Sequence, residues 1–294
     1  MYYRRKILLS LIQLVGGSIE KIPLQKLLLL FTQRQEIPVF DFIPYKFGCY
    51  SFTSNSDLTV MARKGMLSES ETGFARVDAT DYVKQLQYND KRILGEIIGE
   101  YGAMNSDDLM HTTYVLYPYY ATRSETAKRL LSKKEYETVR SNMPHSKTTT
   151  LFTIGYEGIS LEEYLNRLLK NDVRVMVDVR NNPVSMKYGF SKSQLQKYCE
   201  CIGVEYVHLP EVGIQSEQRK ELHEQSDYDK LFAVYRKKNL PNTVVAQKKI
   251  VELLKQHQHV ALTCFEANID RCHRKHLADA IAQLSGFRGT LQHI

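Results

Sequence analysis

Residues 260–266 read VALTCFE, and residues 272–274 read CHR. The apolar start of the first stretch is typical of a buried strand, and residues 275–284 have the spacing of a helix. Two thiols, a carboxylate, an imidazole and a guanidinium therefore gather at one turn from strand to helix. Ligands of an open parallel sheet bind at that end of its strands. We expect this turn to carry the chemistry of the protein.

Strands and helices alternate throughout the second half of the chain. The sequence predicts four strands and a last edge strand, at residues 151–156, 173–179, 204–209, 260–265 and 288–294. Helices are predicted between them, at residues 160–169, 194–201 and 244–256. Helices of this length between strands are typical of a parallel sheet with its crossovers on both faces. We therefore expect an α/β fold in which helices cover both faces of a parallel sheet.

The first half of the chain is predicted to be mainly helical. Helices are expected at residues 6–15 and 24–35, and a third helix ends at Lys64-Gly65. Apolar residues on either side of a polar loop with Gly73 then predict a short hairpin. A helix followed by a small hairpin resembles a winged-helix module, which places a helix in the major groove of DNA and the hairpin on the backbone. An interaction or dimerisation module is the alternative.

Basic residues at this helix end and hairpin are the candidates for nucleic-acid contacts. Arg63, Lys64 and Arg76 would contact phosphates. The net charge of +7 allows a polyanionic partner, although a mildly basic solvated surface accounts for the same charge. Nucleic acid or a nucleotide-like anion is therefore the expected partner. The sequence indicates no particular oligomeric state.

The polar residues 141–150 include Pro144 and lack periodicity, so they predict a linker between two domains. We expect a mainly helical domain at residues 1–146 and an α/β domain at residues 147–294. Of the 294 residues, 43% are apolar and 25% are charged, as in ordinary globular proteins. No apolar run is long enough to cross a bilayer, and five cysteines lack the density of a disulfide scaffold. We therefore expect a cytoplasmic protein without a membrane partner.

Polar side chains follow the predicted strands of the second half where each strand ends. They are Tyr156 and Glu157, Asp178 and Arg180, His208 and Glu211, and Cys264 and Glu266. The carboxyl ends of parallel strands meet at one edge of a sheet, so these groups are expected to converge on one crevice. A structural alternative exists for some of them. Asp178 and Arg180 can form an ion pair, and Cys264 can pack as a small apolar residue.

Four separate motifs in this half resemble the family known as domain of unknown function 488. They are residues 153–158 (TIGYEG), Asp178-Val179-Arg180, Asn182-Pro183, and Cys264-x-Glu266 with Cys272-His273-Arg274. The resemblance covers residues 151–284, and the motifs stand in the expected order. The glycine-rich stretch usual after the third strand is reduced to residues 211–214 (EVGI). The resemblance implies an α/β fold and a cytoplasmic protein, but it implies no reaction.

A first interpretation of the site is catalysis. Cys272 precedes a helix and lies next to His273 and Arg274, which should lower its pKa and make it the nucleophile. His273 or Glu266 would carry the proton. Arg180 or Arg274 would hold an anionic group such as a phosphate or a nucleotide.

Further roles complete this interpretation. Glu266 and Asp178 would alternatively act as acid and base in a hydrolysis or glycosyl-type reaction. The remaining candidates at the strand ends are expected to contact the substrate. They are Tyr156, Glu157, Cys264 and His208.

Two other interpretations remain open. Cys264, Cys272, His273 and Glu266 form a ligand set suited to zinc or iron. The chain has no C-x-x-C or H-x-x-x-H spacing, so no cofactor is predicted, with zinc or iron as the alternative. In the third interpretation the second half senses a ligand or binds a nucleic-acid end, and the first half reads DNA. The sequence therefore leaves both an enzyme and a non-catalytic regulator open.

Overall fold

The computed structural model describes residues 1–219 and 222–294, and these form two compact units. The first unit is Met1–Met143 and the second is Pro144–Ile294. Within the described ranges, every helix is too short or too polar to serve as a bilayer-spanning segment.

The first unit is mainly helical, as predicted. Its helices are α1 Tyr3–Leu14, α2 Lys21–Arg34, α3 Phe52–Arg63, α4 Tyr88–Tyr101, α5 Ser106–Leu116, α6 Ala127–Leu130 and α7 Lys133–Ser141. Its strands are β1 Ser18–Glu20, β2 Ile43–Tyr45, β3 Gly48–Tyr50, β4 Leu67–Glu69 and β5 Gly73–Arg76. Helices α1 and α2 bury continuous runs of leucine and isoleucine, such as Leu8 and Leu28, in one apolar core.

A small antiparallel sheet in the order β1-β5-β4 packs beside these helices. Strands β4 and β5 are the predicted hairpin, which follows α3 directly. Gly65 has a φ of +71°, a conformation that glycine adopts without steric cost, so it ends the helix and turns the chain into β4. Strands β2 and β3 form a separate two-stranded hairpin ahead of α3.

The second unit alternates strands and helices along the chain. Its strands are β6 Thr150–Gly155, β7 Val175–Asp178, β8 Glu205–His208, β9 His259–Cys264 and β10 Thr290–His293. Its helices are α8 Leu161–Lys170, α9 Lys192–Cys201, α10 Gln225–Val234, α11 Leu240–Asn242, α12 Val244–His257 and α13 His273–Ala282.

The five strands form one parallel sheet in the order β10-β6-β9-β7-β8. Both the parallel sheet and the edge strand at the end of the chain are thus confirmed. Gly155 pairs with Cys264, and Asp178 pairs with both Thr263 and His208. The last residues of four strands therefore lie side by side at one edge.

Helices cover both faces of this sheet. Side chains alternate along a strand, so Val177 and Leu262 share one face, where they join residues of α12 and α13 in an apolar core. The neighbouring residues Met176 and Ala261 face the other way and are also buried. The buried apolar sides of α8 and α9 cover that second face. Because both faces are covered, the edge that bears the strand ends is where a ligand can approach.

Candidate functional site

The loop that follows β9 rests on the turn that follows β6. The backbone N–H groups of Tyr156 and Glu157 both donate to the Phe265 carbonyl, at 3.1 and 2.9 Å. The Glu157 carboxylate accepts a hydrogen bond from the Ala267 N–H at 3.0 Å. Glu157, predicted to contact substrate, thus holds the loop that carries Glu266.

Arg274 holds the same loop in place through hydrogen bonds. Its side chain is buried, and its guanidinium donates to the carbonyl oxygens of Glu266 and Ala267, at 2.5 and 3.3 Å. Arg274 was predicted to hold an anionic group or to act in catalysis. Its Nη1 and Nη2 groups face backbone carbonyls, so Arg274 positions the loop.

A cluster of polar side chains lies between this loop and α13. The sulfurs of Cys264 and Cys272 are each 3.0 Å from the same oxygen, Glu266 Oε2. The Cys264 sulfur is 3.7 Å from Nδ1 of His273. Cys264, Cys272 and His273 are all buried, and their three ligand atoms lie within 4.8 Å of one another. Cys272 is the N-cap of α13 in extended conformation and His273 is its first helical residue, which lets adjacent side chains face one point.

The imidazole of His273 has a defined tautomer. Its Nε2 is 3.1 Å from the backbone carbonyl of Val179, which can only accept a hydrogen bond. Its Nδ1 is 2.8 Å from Nη2 of Arg219, which can only donate. The proton is therefore on Nε2, and the Nδ1 lone pair points at the cluster.

Arg219 is a member of the site that the sequence analysis did not identify. Besides His273, it contacts Oε1 of Glu266 at 2.5 Å through Nη1. It lies in the loop after β8, within the 3-10 turn Ser216–Arg219. The only sequence signal for Arg219 was a basic residue that follows a predicted strand. The spacing of residues along the chain does not indicate that its side chain contacts Glu266 and His273.

The protonation of the cluster differs from the prediction for Cys272. A hydrogen bond from Cys272, followed by the interactions with His273 and Arg219, lowers the pKa of Cys264 well below its usual value, although burial acts in the opposite direction. Burial and the neighbouring Cys264 raise the pKa of Cys272 well above its usual value. These directions run opposite to the expectation for Cys272, since Cys264 is the thiol of the pair with the lowered pKa.

The carboxyl group of Glu266 belongs to the same cluster. Burial, followed by the proximity of Cys264, raises the pKa of the Glu266 carboxyl. Two anions do not remain 3.0 Å apart unless a proton lies between them, and the raised pKa lets Glu266 hold that proton. Cys264 and Glu266 therefore form a proton-sharing pair.

A cavity of about 330 Å³ opens at the strand ends beside this pair. Three predicted site residues line it, namely Tyr156, Arg180 and Cys264, together with Arg219. The other residues of its wall are Asn181, Asn182, Val184, Ser185, Met186, Ile214 and Phe265. Three strand ends therefore do converge on one cavity. Cys272, His273 and Arg274 are buried and are not among its lining residues.

A known protein family matches most of the part of the chain that forms this site. Residues 160–281 match the family model of Domain of unknown function DUF488. The resemblance predicted from four motifs is thereby confirmed, and the N-terminal unit has no family assigned to it. No curated protein matches the chain.

Within the DUF488 region, Asp178 and Arg180 form a buried ion pair. Arg180 donates through Nε and Nη2 to the two carboxylate oxygens of Asp178, at 2.8 and 2.5 Å. Its Nη1 donates to the Tyr156 hydroxyl and to the Phe190 carbonyl, and the Tyr206 hydroxyl donates to Asp178. Asp178 is fully buried, and the two side chains form the ion pair expected as the structural alternative.

His208, also predicted to contact the substrate, is not among the residues that line the cavity. Its Nε2 donates to the carbonyl of Arg180 at 2.9 Å, and its Nδ1 accepts from Lys192 at 3.2 Å. His208 thus ties the ends of β7 and β8 together.

The three basic residues predicted to contact nucleic acid lie outside the DUF488 region and differ in exposure. Arg63 and Lys64 are exposed at the end of α3. The Arg76 side chain is only 12% exposed, donates to the carbonyls of Asp78 and Thr80, and lies over the Tyr82 ring. Arg76 therefore organises the segment after the hairpin.

Proposed function

We propose that the second unit binds a nucleotide-like anion in the cavity beside Cys264 and acts on it with the cluster of Cys264, Glu266 and His273. The observation that carries this proposal is that Arg219 and Cys264 line the same cavity. Guanidinium groups bind phosphate oxygens through paired N–H donors. The proton shared by Cys264 and Glu266 is the group available for acid–base work next to that anion.

The two arginines of the cavity differ in how far they are engaged. Arg180 donates hydrogen bonds to Asp178, Tyr156 and Phe190, and the buried carboxylate of Asp178 neutralises its charge. Arg219 stands in a loop rather than in the sheet edge. A guanidinium has five N–H donors, so its contacts to Glu266 and His273 leave capacity for a phosphate oxygen. Arg219 is therefore the proposed anion-binding group.

The rim of the cavity favours a nucleotide over an inorganic anion. Val184 and Phe265 are 73% and 43% exposed, and Met186 is fully exposed, although all three line the cavity. Apolar and aromatic side chains of this kind offer a surface on which a base stacks, worth about 1–3 kcal/mol per base. The volume of about 330 Å³ is at the lower end of small-molecule sites.

The test is a calorimetric titration of the full chain with nucleoside mono-, di- and triphosphates and a short single-stranded oligonucleotide. We expect Arg219→Met to weaken binding of every phosphate ligand and Phe265→Ala to weaken binding of nucleotides but not of inorganic phosphate. The matched control is Arg167→Met, which removes a half-exposed arginine from α8. Absence of binding to the unaltered protein, or equal effects of the control, would refute the proposal.

A second proposed function is DNA binding by the first unit. The order of α1, β1, α2, α3 and the β4–β5 hairpin, with the sheet order β1-β5-β4, supports a winged-helix interpretation. Arg63 and Lys64, exposed at the end of α3, support contact with phosphates.

The hairpin itself is less suited to this partner than the helix end. It carries Glu69 and Glu71, and Arg76 is engaged with the segment that follows the hairpin. Carboxylates at a hairpin tip repel phosphates. We therefore assign the proposed contact to α3 and its C-terminal end.

A further inference from the structure

We propose that Cys264, Cys272 and His273 together bind one divalent transition-metal ion, best matched by zinc, at the wall of the cavity. The metal site stands on the three ligands alone. Only the role of the ion next to a nucleotide-like anion rests on the proposed function.

The spacing of the ligand atoms fits a small tetrahedral ion. Bond lengths of about 2.3 Å to sulfur and 2.0 Å to nitrogen place a thiolate and an imidazole nitrogen about 3.5 Å apart in a tetrahedral zinc site. Cys264 Sγ and His273 Nδ1 are 3.7 Å apart. All three ligand atoms, including the Cys272 sulfur, lie within 4.8 Å of one another. Small side-chain movements therefore suffice to bind the ion.

The orientation of His273 is the second argument. Histidine ligands usually donate their other ring N–H to a carbonyl or carboxylate, which fixes the ring and directs its lone pair at the metal. His273 does this through Nε2 and the Val179 carbonyl, which leaves Nδ1 facing both sulfurs.

The charges around the cluster provide the third argument. Two thiolates and the Glu266 carboxylate would carry three negative charges, and buried charges must be compensated. A divalent ion and the Arg219 guanidinium supply three positive charges. Arg219 now donates to Nδ1 of His273 and to Glu266, so metal binding would free it from His273 while its contact with Glu266 remains.

The chemistry of the ligands selects the ion. Thiolates with an imidazole favour zinc over hard ions such as magnesium or calcium, which prefer oxygen ligands. Three protein ligands and a position open to a cavity are the arrangement of a zinc site that binds water or substrate. Of the three ligands only Cys264 lines the cavity, so the proposal places the open position of the ion on the cavity side. Glu266 lies next to the two sulfur ligands.

The test is the metal content of the full chain, purified from zinc-supplemented medium, followed by titration of metal-free protein with Co²⁺. We expect one zinc per chain and thiolate-to-cobalt charge-transfer absorption. Cys264→Ser, Cys272→Ser and His273→Gln should each weaken Co²⁺ binding by more than about 100-fold, beyond the loss expected from removing a supporting contact. Cys201→Ser, at the end of α9, is the matched control and should bind like the unaltered protein.

Circular dichroism of each variant shows whether a loss of metal reflects a loss of folding. The proposal is overturned if the unaltered protein binds neither zinc nor Co²⁺ in stoichiometric amount, if Cys201→Ser loses as much as the ligand variants, or if Cys264 and Cys272 form a disulfide instead. Nucleotide titration of the metal-free protein separates the two hypotheses. Nucleotide binding without any metal site would leave the proposed function intact, and metal binding without nucleotide binding would refute only that function.

Discussion

The backbone of Gly155 packs against the backbone carbonyl of Glu266 so closely that no side chain fits at position 155. A Cβ atom there would overlap that carbonyl oxygen and approach the Ala267 α-carbon to 3.1 Å. Residue 155 ends β6 and Glu266 follows β9, so a glycine in one motif fixes the position of the carboxylate in another.

We expect Gly155→Ala to displace the loop that carries Glu266. Overpacking of this kind costs about 1–3 kcal/mol. Urea denaturation and hydrogen exchange of the amides of residues 265–267 measure the effect. Gly286→Ala is the control, because a Cβ there would come no closer than 3.4 Å to Val251. Equal stability of the two variants would contradict the role assigned to Gly155.

The buried ion pair of Asp178 and Arg180 predicts a large effect from removing one partner. Arg180→Met would leave the fully buried Asp178 carboxylate without its guanidinium, which costs about 3–5 kcal/mol. We expect the double variant with Asp178→Asn to recover part of that loss. The free energy of unfolding of the full chain in urea is the measurement.

The control for this experiment is an exposed pair in the same unit. Arg174→Met breaks the ion pair with Asp172, in which the arginine side chain is 58% exposed, and should cost no more than about 1 kcal/mol. If Arg180→Met costs as little, the pair does not support the fold, and Arg180 becomes a candidate for ligand binding.

A buried lysine in the first unit predicts a pH-dependent stability. Lys26 is almost fully buried and donates to the Cys49 carbonyl at 3.0 Å, and burial lowers its pKa from 10.5. Between that lowered pKa and 10.5, the unfolded chain holds a proton that the native protein has lost. Stability therefore rises with pH across this window, and below it the charged amine destabilises the fold.

We expect Lys26→Met to stabilise the protein at about pH 7 by about 1.4 kcal/mol for each unit of pKa lowering, less the cost of leaving the Cys49 carbonyl unpaired. This gain should shrink by about pH 10 as the window closes. Urea denaturation at both values measures it. Lys91→Met, at an exposed position of α4, should show no such pH trend. A gain that is the same at both pH values would contradict this account.

DNA binding by the first unit predicts a change in salt dependence. If Arg63 and Lys64 each neutralise a phosphate, replacing both with alanine should lower the slope of log K against log salt by about 1.8. Fluorescence anisotropy of duplex DNA with the full chain measures the slope. The control replaces Lys133 and Lys134, exposed at the start of α7. No DNA binding, or an equal change in the control, would remove this proposal.

The sequence was informative where periodicity and position decide the structure. Alternating strands and helices predicted the parallel sheet, and the rule that ligands meet the carboxyl ends of strands placed Tyr156, Arg180 and Cys264 on one cavity. What the sequence could not give was set by side-chain direction and burial. Arg219 reaches the cluster from a loop whose path no spacing encodes.

Burial also explains the differences between expected and observed roles. Position before a helix favoured a thiolate at Cys272, but burial raises the pKa of Cys272 while a hydrogen bond from Cys272 lowers the pKa of Cys264. Arg274 and Arg76 look like free basic groups in a sequence, yet backbone carbonyls occupy both. Neither depth nor carbonyl direction can be read from residue types.

The contacts that join Gly155, Glu157, Glu266 and Arg274 bear on how this site can change over evolutionary time. A side chain at position 155 would prevent the loop that carries Glu266 from packing against this residue. Selection to keep Glu157 and Arg274 would then relax. These positions should therefore be inherited or lost together. Related chains can be sorted by the residue at the end of the strand that corresponds to β6. This would separate chains that retain the site from chains that keep only the sheet.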